Sequence, residues 1–336
     1  MGEFDLIARY FQRPGHAAGP EVALGVGDDC ALLQPRPGTQ LAISSDMLVE
    51  GRHFFADVDP AALGHKALAV NLSDLAACGA RPLACTLALA LPRADEAWLA
   101  GFARGLFALA DAHGCALIGG DTTQGPLNIC ITVFGEVPVV QGRSQALLRS
   151  GARAGDELWV SGSPGQARLA LDALRGELSL PADVLAACRA RLERPTPRVA
   201  LGQALRGVAT AAIDVSDGLL GDLGHILQAS GCGATVDSST AIELIAISTP
   251  PESAGARFDL ELSADTRLRC VLAGGDDYEL LFTAPPSARA AVEAAGRASA
   301  TRVTCIGRID AAPGVRVVDA AGQSVAGRFA SFDHFA

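Results

Sequence analysis

Apolar residues at Phe4, Leu6, Ile7, Tyr10 and Phe11 recur at helical spacing and predict a short amphipathic helix over residues 3–11. The Pro/Gly-rich stretch of residues 13–20 ends it. The apolar run at residues 41–44 predicts a strand that ends at Asp46. A longer helical pattern runs from Pro60 to Ala77, with Pro at its start and Gly79 as its stop. Residues 85–91 alternate and predict a strand. Residues 95–113 predict a helix through Trp98, Leu99, Phe102, Leu106 and Phe107. Residues 115–118 predict a strand entering Gly119-Gly120-Asp121, and residues 127–137 predict another.

A polar, Gly-containing stretch then separates two domains, 1–140 and 150–336, as a length of 336 residues leads one to expect. Beyond it, strands are predicted at 157–160, 209–213, 278–283 and 303–309. Helices are predicted at 166–174, 183–192, 219–229 and 287–298. Alternating strands and helices in both halves predict an α/β fold, or α+β layers.

The net charge of −10 carries no Lys/Arg block, which excludes a nucleic-acid footprint. Nine scattered cysteines form no C-x-x-C pair. That argues against a zinc site or disulfide framework and for reduced thiols in the cytosol. The first residues resemble no signal peptide, and no apolar run reaches the ~18 residues of a membrane span. The 49% apolar content fits a large core or an oligomer interface.

Candidate chemistry lies in aspartates beside Gly or Ser. They stand in Gly27-Asp28-Asp29, Ser44-Ser45-Asp46, Ser73-Asp74, Gly120-Asp121, Asp214-Val215-Ser216-Asp217-Gly218 and Gly275-Asp276-Asp277. Lys66 is the sole lysine, so a P-loop is excluded. Hard oxygen ligands without lysine point to divalent cations, Mg²⁺ where the ligand is a substrate phosphate. Each motif also has a structural reading. Asp28-Asp29 and Asp121 suit turns, and Asp74 suits a helix surface. Ser216 or Asp217 suits a helix N-cap, and residues 274–279 suit a hairpin-like turn. Asp46 favours function, because ligands bind at strand ends in α/β folds. A strand through Asp214 would set Asp214 and Ser216 on one face. Arg149 and Arg153 flank the domain junction, where an Arg fork suits phosphate. His53 is either structural or a phosphate or ring contact.

In their order along the chain, these motifs, with Asn71-Leu72-Ser73-Asp74-Leu75, Gly119-Gly120-Asp121-Thr122-Thr123, Gly274-Gly275-Asp276-Asp277-Tyr278-Glu279-Leu280 and the ending Phe332-Asp333-His334-Phe335, resemble the thiamine-monophosphate kinase family. The resemblance implies ATP-dependent phosphorylation of thiamine monophosphate to thiamine diphosphate. It also implies a two-domain fold like aminoimidazole ribonucleotide synthetase, with the N-terminal domain binding ATP and Mg²⁺ and dimerising through its sheet. Asp29, Ser44, Ser45, Asp46, Asp74, Asp121, Asp214 and Asp217 fall at magnesium positions, with Asp46, Asp121 and Asp214 at the centre of catalysis. Gly120, Asp121, Arg149 and Ser216 fall at nucleotide positions, and His53, Asp276 and Phe332 at substrate positions. The family commonly carries Glu where this chain has Asp276, and Asp277 is a neighbouring carboxylate for the same role. Two alternatives stay open: a sister enzyme such as aminoimidazole ribonucleotide synthetase or selenophosphate synthetase, and a non-catalytic divalent-metal binder. The N-terminal Cys and Lys of selenophosphate synthetase are absent, the first cysteine being Cys30.

Overall fold

A computed structural model of the chain describes residues 2–13, 19–245, 262–325 and 329. The chain divides into two compact units, 1–75 with 80–146, and 76–79 with 147–336.

The first unit holds α1 (Glu3–Tyr10), β1 (Val22–Leu24), β2 (Leu32–Leu33), β3 (Thr39–Val49), α2 (Pro60–Ala77), β4 (Arg81–Leu91), α3 (Glu96–His113), β5 (Ala116–Gln124), β6 (Asn128–Val140) and β7 (Arg143–Ser144). Its main sheet is mixed, in the order β3-β6-β4-β5, with β4 and β5 parallel and β7 paired to β6. Asp59 accepts from the Ala61 and Ala62 N–H groups where α2 starts, and Pro60 supplies a preset first turn. Asp95 caps α3, and Gly114 ends it in the left-handed region. The two helices approach closely. A Cβ on Gly64 would overlap the Phe102 carbonyl, and one on Gly105 the Ala61 carbonyl. Arg81 ties Glu136 on β6 (2.8 Å) to Glu21 before β1 (2.5 Å), and Arg36 joins Glu21 at 3.0 Å.

The second unit holds β8 (Glu157–Ser161), α4 (Gln166–Leu174), α5 (Ala182–Glu193), α6 (Val199–Ala204), β9 (Ala211–Asp214), α7 (Leu219–Ser230), β10 (Gly233–Asp237), α8 (Ser238–Ala241), α9 (Ala264–Ala273), β11 (Leu280–Ala284), α10 (Arg289–Ala298), β12 (Val303–Asp310) and β13 (Gly314–Val318). Its sheet order is β13-β10-β12-β8-β11-β9, antiparallel except for β10 with β13. Leu158 and Val160 on β8 enter a core with Ile213, Leu223, Ile226, Val271 and Ile306. Trp159, between them in sequence, stacks on Phe282, its cross-strand partner, with the Arg289 guanidinium over its ring. This two-domain α/β architecture with mixed sheets agrees with the fold class read from the pattern. Among the described residues, no helix is long and apolar enough to cross a membrane.

Three of the boundaries that move lie at candidate site residues. β3 does not end at Asp46 but continues to Val49, and β5 runs through Gly119-Gly120-Asp121 to Gln124. Ladder partners on β6 and β4 extend both strands past the polar residues. β9 stops at Asp214, so Ser216 lies in a loop and does not share a strand face with it. Strands β10 and β13, each opening on Gly, are not anticipated by the pattern.

Candidate active site

In the first unit the strand β3 inverts the usual pattern. Leu41, Ile43 and Met47 are 45%, 60% and 52% exposed, whereas Ser44 and Asp46 alternate onto the face covered by α2. Ser44 Oγ donates to Asp74 Oδ2. The Asp46 N–H donates at 3.0 Å to Oδ1 of Asn71, whose Nδ2 donates in turn to the Ala67 carbonyl at 3.0 Å. Asn71 and Asp74 stand three apart on α2 and so share a helix face. The buried amide ties β3 to the helix, where Ser44 meets Asp74 and Asp46 lies two positions along the same strand face.

Ser45 and Asp121 lie elsewhere. Ser45 is exposed on the opposite face, where its hydroxyl meets that of Thr132 at 2.9 Å. Asp121 pairs with Ala88, Ala88 with Cys130, and Cys130 with Met47, which puts exposed Asp121 on that same open face. Gly120 occupies the row of Asp46, three strand spacings away, or roughly 14 Å. Its backbone, at φ 149°, passes so close to the Leu87 carbonyl that no side chain fits. Asp29 sits in an exposed loop, where its N–H donates to Asp28 Oδ1 at 2.9 Å. Among the described residues, no three His, Cys, Asp or Glu side chains are close enough together to share one metal ion.

His53 is half-buried in the tight turn after β3. Its Nδ1 accepts the Val49 N–H at 3.0 Å, which leaves the ring proton on Nε2. The buried Lys66 ammonium donates to the His53 carbonyl at 3.4 Å.

In the second unit two aspartate motifs meet. Val215 N donates to the Glu279 carbonyl, Tyr278 N to the Val215 carbonyl and Asp276 N to the Ser216 carbonyl, each at 2.8 Å. This backbone zipper sets Ser216 and Asp217 beside Asp276, next to the buried Asp214. Asp276 and Tyr278 adopt φ of 64° and 51°, left-handed values unusual for residues other than glycine. The Tyr278 hydroxyl donates to Asp276 Oδ1 at 3.4 Å. Asp277 does not offer a second surface carboxylate. It is buried with both oxygens on the Gly165 N–H, at 2.9 and 3.0 Å, and burial pushes its carboxyl well above the ordinary range. Arg149 is exposed, and its carbonyl accepts from Ser230 Oγ at 3.3 Å. Phe332 lies outside the described residues.

Neither Ser216 nor Asp217 caps α7. Asp222, in the first turn, accepts the N–H groups of Ser216, Asp217 and Gly218 through one oxygen, at 3.0, 3.2 and 3.2 Å. Burial, then the nearby Asp217 charge, pushes the Asp222 carboxyl up to about 6 against the pull of those donors. Sequence reasoning missed Asp222 and gave no role to Asn71 and Glu279, although both stand in motifs that carry the resemblance. An acidic residue in the first turn of a helix was the available signal for Asp222. For the other two the motif marked the position, but their roles depend on partners far away in sequence.

Residues 27–137 match the family described as AIR synthase related protein, N-terminal domain, and residues 153–320 match its C-terminal domain. The chain is 46% identical over 337 residues to the thiamine-monophosphate kinase of Salmonella typhimurium, covering 100% of this chain and 98% of that protein. The chain belongs to the thiamine-monophosphate kinase family. A crystal structure of the family's enzyme from Stenotrophomonas maltophilia superposes with a TM-score of 0.79 at 45% identity, covering 96% of each chain. AaThiL, solved in complex with AMPPCP and TMP, superposes with a TM-score of 0.70 at 27% identity, covering 90% of this chain and 89% of that one. Family membership is what the ordered aspartate motifs implied.

Proposed function

We propose that this protein transfers the γ-phosphoryl group of ATP to the phosphate of thiamine monophosphate, yielding thiamine diphosphate and ADP. The observation that carries the reading is 46% identity along the full chain to a thiamine-monophosphate kinase. AMPPCP and TMP, bound together in a relative, agree with a nucleotide donor and a thiamine monophosphate acceptor.

The chemistry suits a chain with one lysine. A phosphate monoester has a second pKa near 6, so the acceptor oxygen is already largely ionised at neutral pH and needs no general base. The remaining obstacle is repulsion between two polyanions, and positioning with charge neutralisation supplies most of the catalysis in phosphoryl transfer. The donor set fits magnesium, because Ser44 meets Asp74 of α2 while Asp46 stands two positions along the same strand face, and these side chains present only oxygen. Magnesium, when bound, supplies that neutralisation. Several magnesium ions are proposed: Asp29, Ser44, Ser45, Asp46, Asp74 and Asp121 of the first unit, and Asp214 and Asp217 of the second, would hold them. Asn71 and Asp222 keep these segments in place beforehand. Gly120, Asp121, Arg149 and Ser216 take the nucleotide. His53 presents its Nε2–H, Asp276 its carboxylate, and Phe332 an aromatic face for the cationic thiazolium.

The first unit carries ATP and magnesium binding and pairs with a second copy through its sheet. Exposed Leu41, Ile43 and Met47 support that pairing, since an apolar strand face on water is unfavourable until covered. Ser45 and Asp121 stand on the same open face, consistent with nucleotide binding near such an interface. All nine cysteines are free, in keeping with a cytoplasmic enzyme. The test combines protein, ATP, Mg²⁺ and thiamine monophosphate and follows thiamine diphosphate and ADP by chromatography. ATP consumed only with another phosphorylated acceptor would indicate a sister enzyme, and cation binding without turnover a metal-binding protein.

A further inference from the structure

Glu279 has no exposed surface, and its carboxylate accepts from Ser161, Arg191 and Arg198. Ser161 Oγ donates to Oε2 at 2.5 Å, Arg198 Nε to Oε2 at 2.6 Å, and Arg191 Nη2 to Oε1 at 2.8 Å. A second Arg198 nitrogen also reaches Oε1. Gly162 packs so tightly on this carboxylate that a side chain there would overlap it. The Glu279 main chain faces the other way, its carbonyl taking the Val215 N–H. Two residues earlier, Asp277 is anchored inward on Gly165. Positions 277 and 279 are thus both pinned inside the fold, while the alternate residues Asp276 and Tyr278 remain half-buried at left-handed φ. Non-glycine residues stay in that region only when their surroundings over-determine them.

We infer that Glu279, locked by Arg191 and Arg198, is a positioning residue that holds residues 274–278 in the conformation presenting Asp276. This rests on the reading of Asp276 as a substrate-binding residue. The test compares full-length Glu279→Gln, Arg191→Met and Asp276→Asn with wild type by residue-resolved amide hydrogen exchange and steady-state kinetics. Glu279→Gln should speed exchange of the Asp276 and Tyr278 amides at least ten-fold and leave β10 and β13 amides unchanged. Its KM for thiamine monophosphate should rise about ten-fold, with the KM for ATP unchanged. Arg191→Met should act in the same direction and answers the question if Glu279→Gln does not fold, and Arg191→Lys should restore part of the loss. A folded Glu279→Gln or Arg191→Met with wild-type exchange at 276 and 278 overturns the lock. Faster loop exchange in the lock variants, with a wild-type KM in Asp276→Asn, upholds the lock and overturns the substrate role of Asp276.

Discussion

Asp222 holds the backbone that leads into α7. One buried oxygen serves three N–H donors, of which Gly218 is buried and Ser216 and Asp217 are half-buried. Asp222→Ala leaves one buried orphan donor, worth ~1–3 kcal/mol, and two that water partly recovers, for a total of about 3 kcal/mol. Asp222→Asn keeps an acceptor and removes the charge. The folded-state carboxyl titrates at about 6, raised from 3.8. A raised value means that its contribution to stability is fully present below 3.8 and is lost as pH rises through about 6. The rise corresponds to roughly 3 kcal/mol, of which roughly 2–3 kcal/mol falls between pH 4 and pH 8. Urea unfolding in EDTA, in a Trp98→Phe background so that Trp159 reports alone, measures this directly. At pH 4, Asp222→Ala should be about 3 kcal/mol less stable than wild type. At pH 8, Asp222→Asn should be more stable than wild type by roughly 2–3 kcal/mol. Parallel pH profiles for wild type and Asp222→Asn would refute the reasoning, since they would mean that the carboxylate carries no net burden.

Three further outcomes are expected. Asp46→Asn should lower turnover by orders of magnitude with an unchanged circular dichroism spectrum, because the backbone N–H to Asn71 survives; a folded variant with wild-type turnover removes Asp46 from the metal set. Burial alone would raise the Glu136 carboxyl, but Arg81 and the Arg36 N–H outweigh it and hold it below its ordinary 4.5. Its contribution is therefore present above 4.5 and lost as pH falls below it, so Glu136→Gln should flatten the acid limb of the stability curve; an unchanged limb contradicts the pairing. Ile43→Glu on the exposed β3 face should halve the mass seen by light scattering, and an unaltered mass excludes that face as the contact.

Local pattern determined a good deal of this protein. α2 runs over the residues the pattern assigned, because Pro60 and Gly79 punctuate a sustained helical period, and the same holds for α4. The family, too, was legible, because it resides in the order of short motifs along one chain. Tertiary structure decided what those motifs do together. Asp46 and Asp121 read alike as aspartates at strand ends, yet ladder register carries both strands onward and turns the two carboxylates to opposite faces. Side chains alternate with period two, so facing depends on pairing with β6 and β4, partners far along the chain. Likewise Asp276 reads as a turn residue, yet its left-handed backbone stands three residues from a carboxylate, Glu279, on which Ser161, Arg191 and Arg198 close from some 80 to 120 positions away. Local periodicity reports which face of an element is apolar. It carries no information about which distant donor a buried carboxylate will meet, because that depends on how the strands and helices pack.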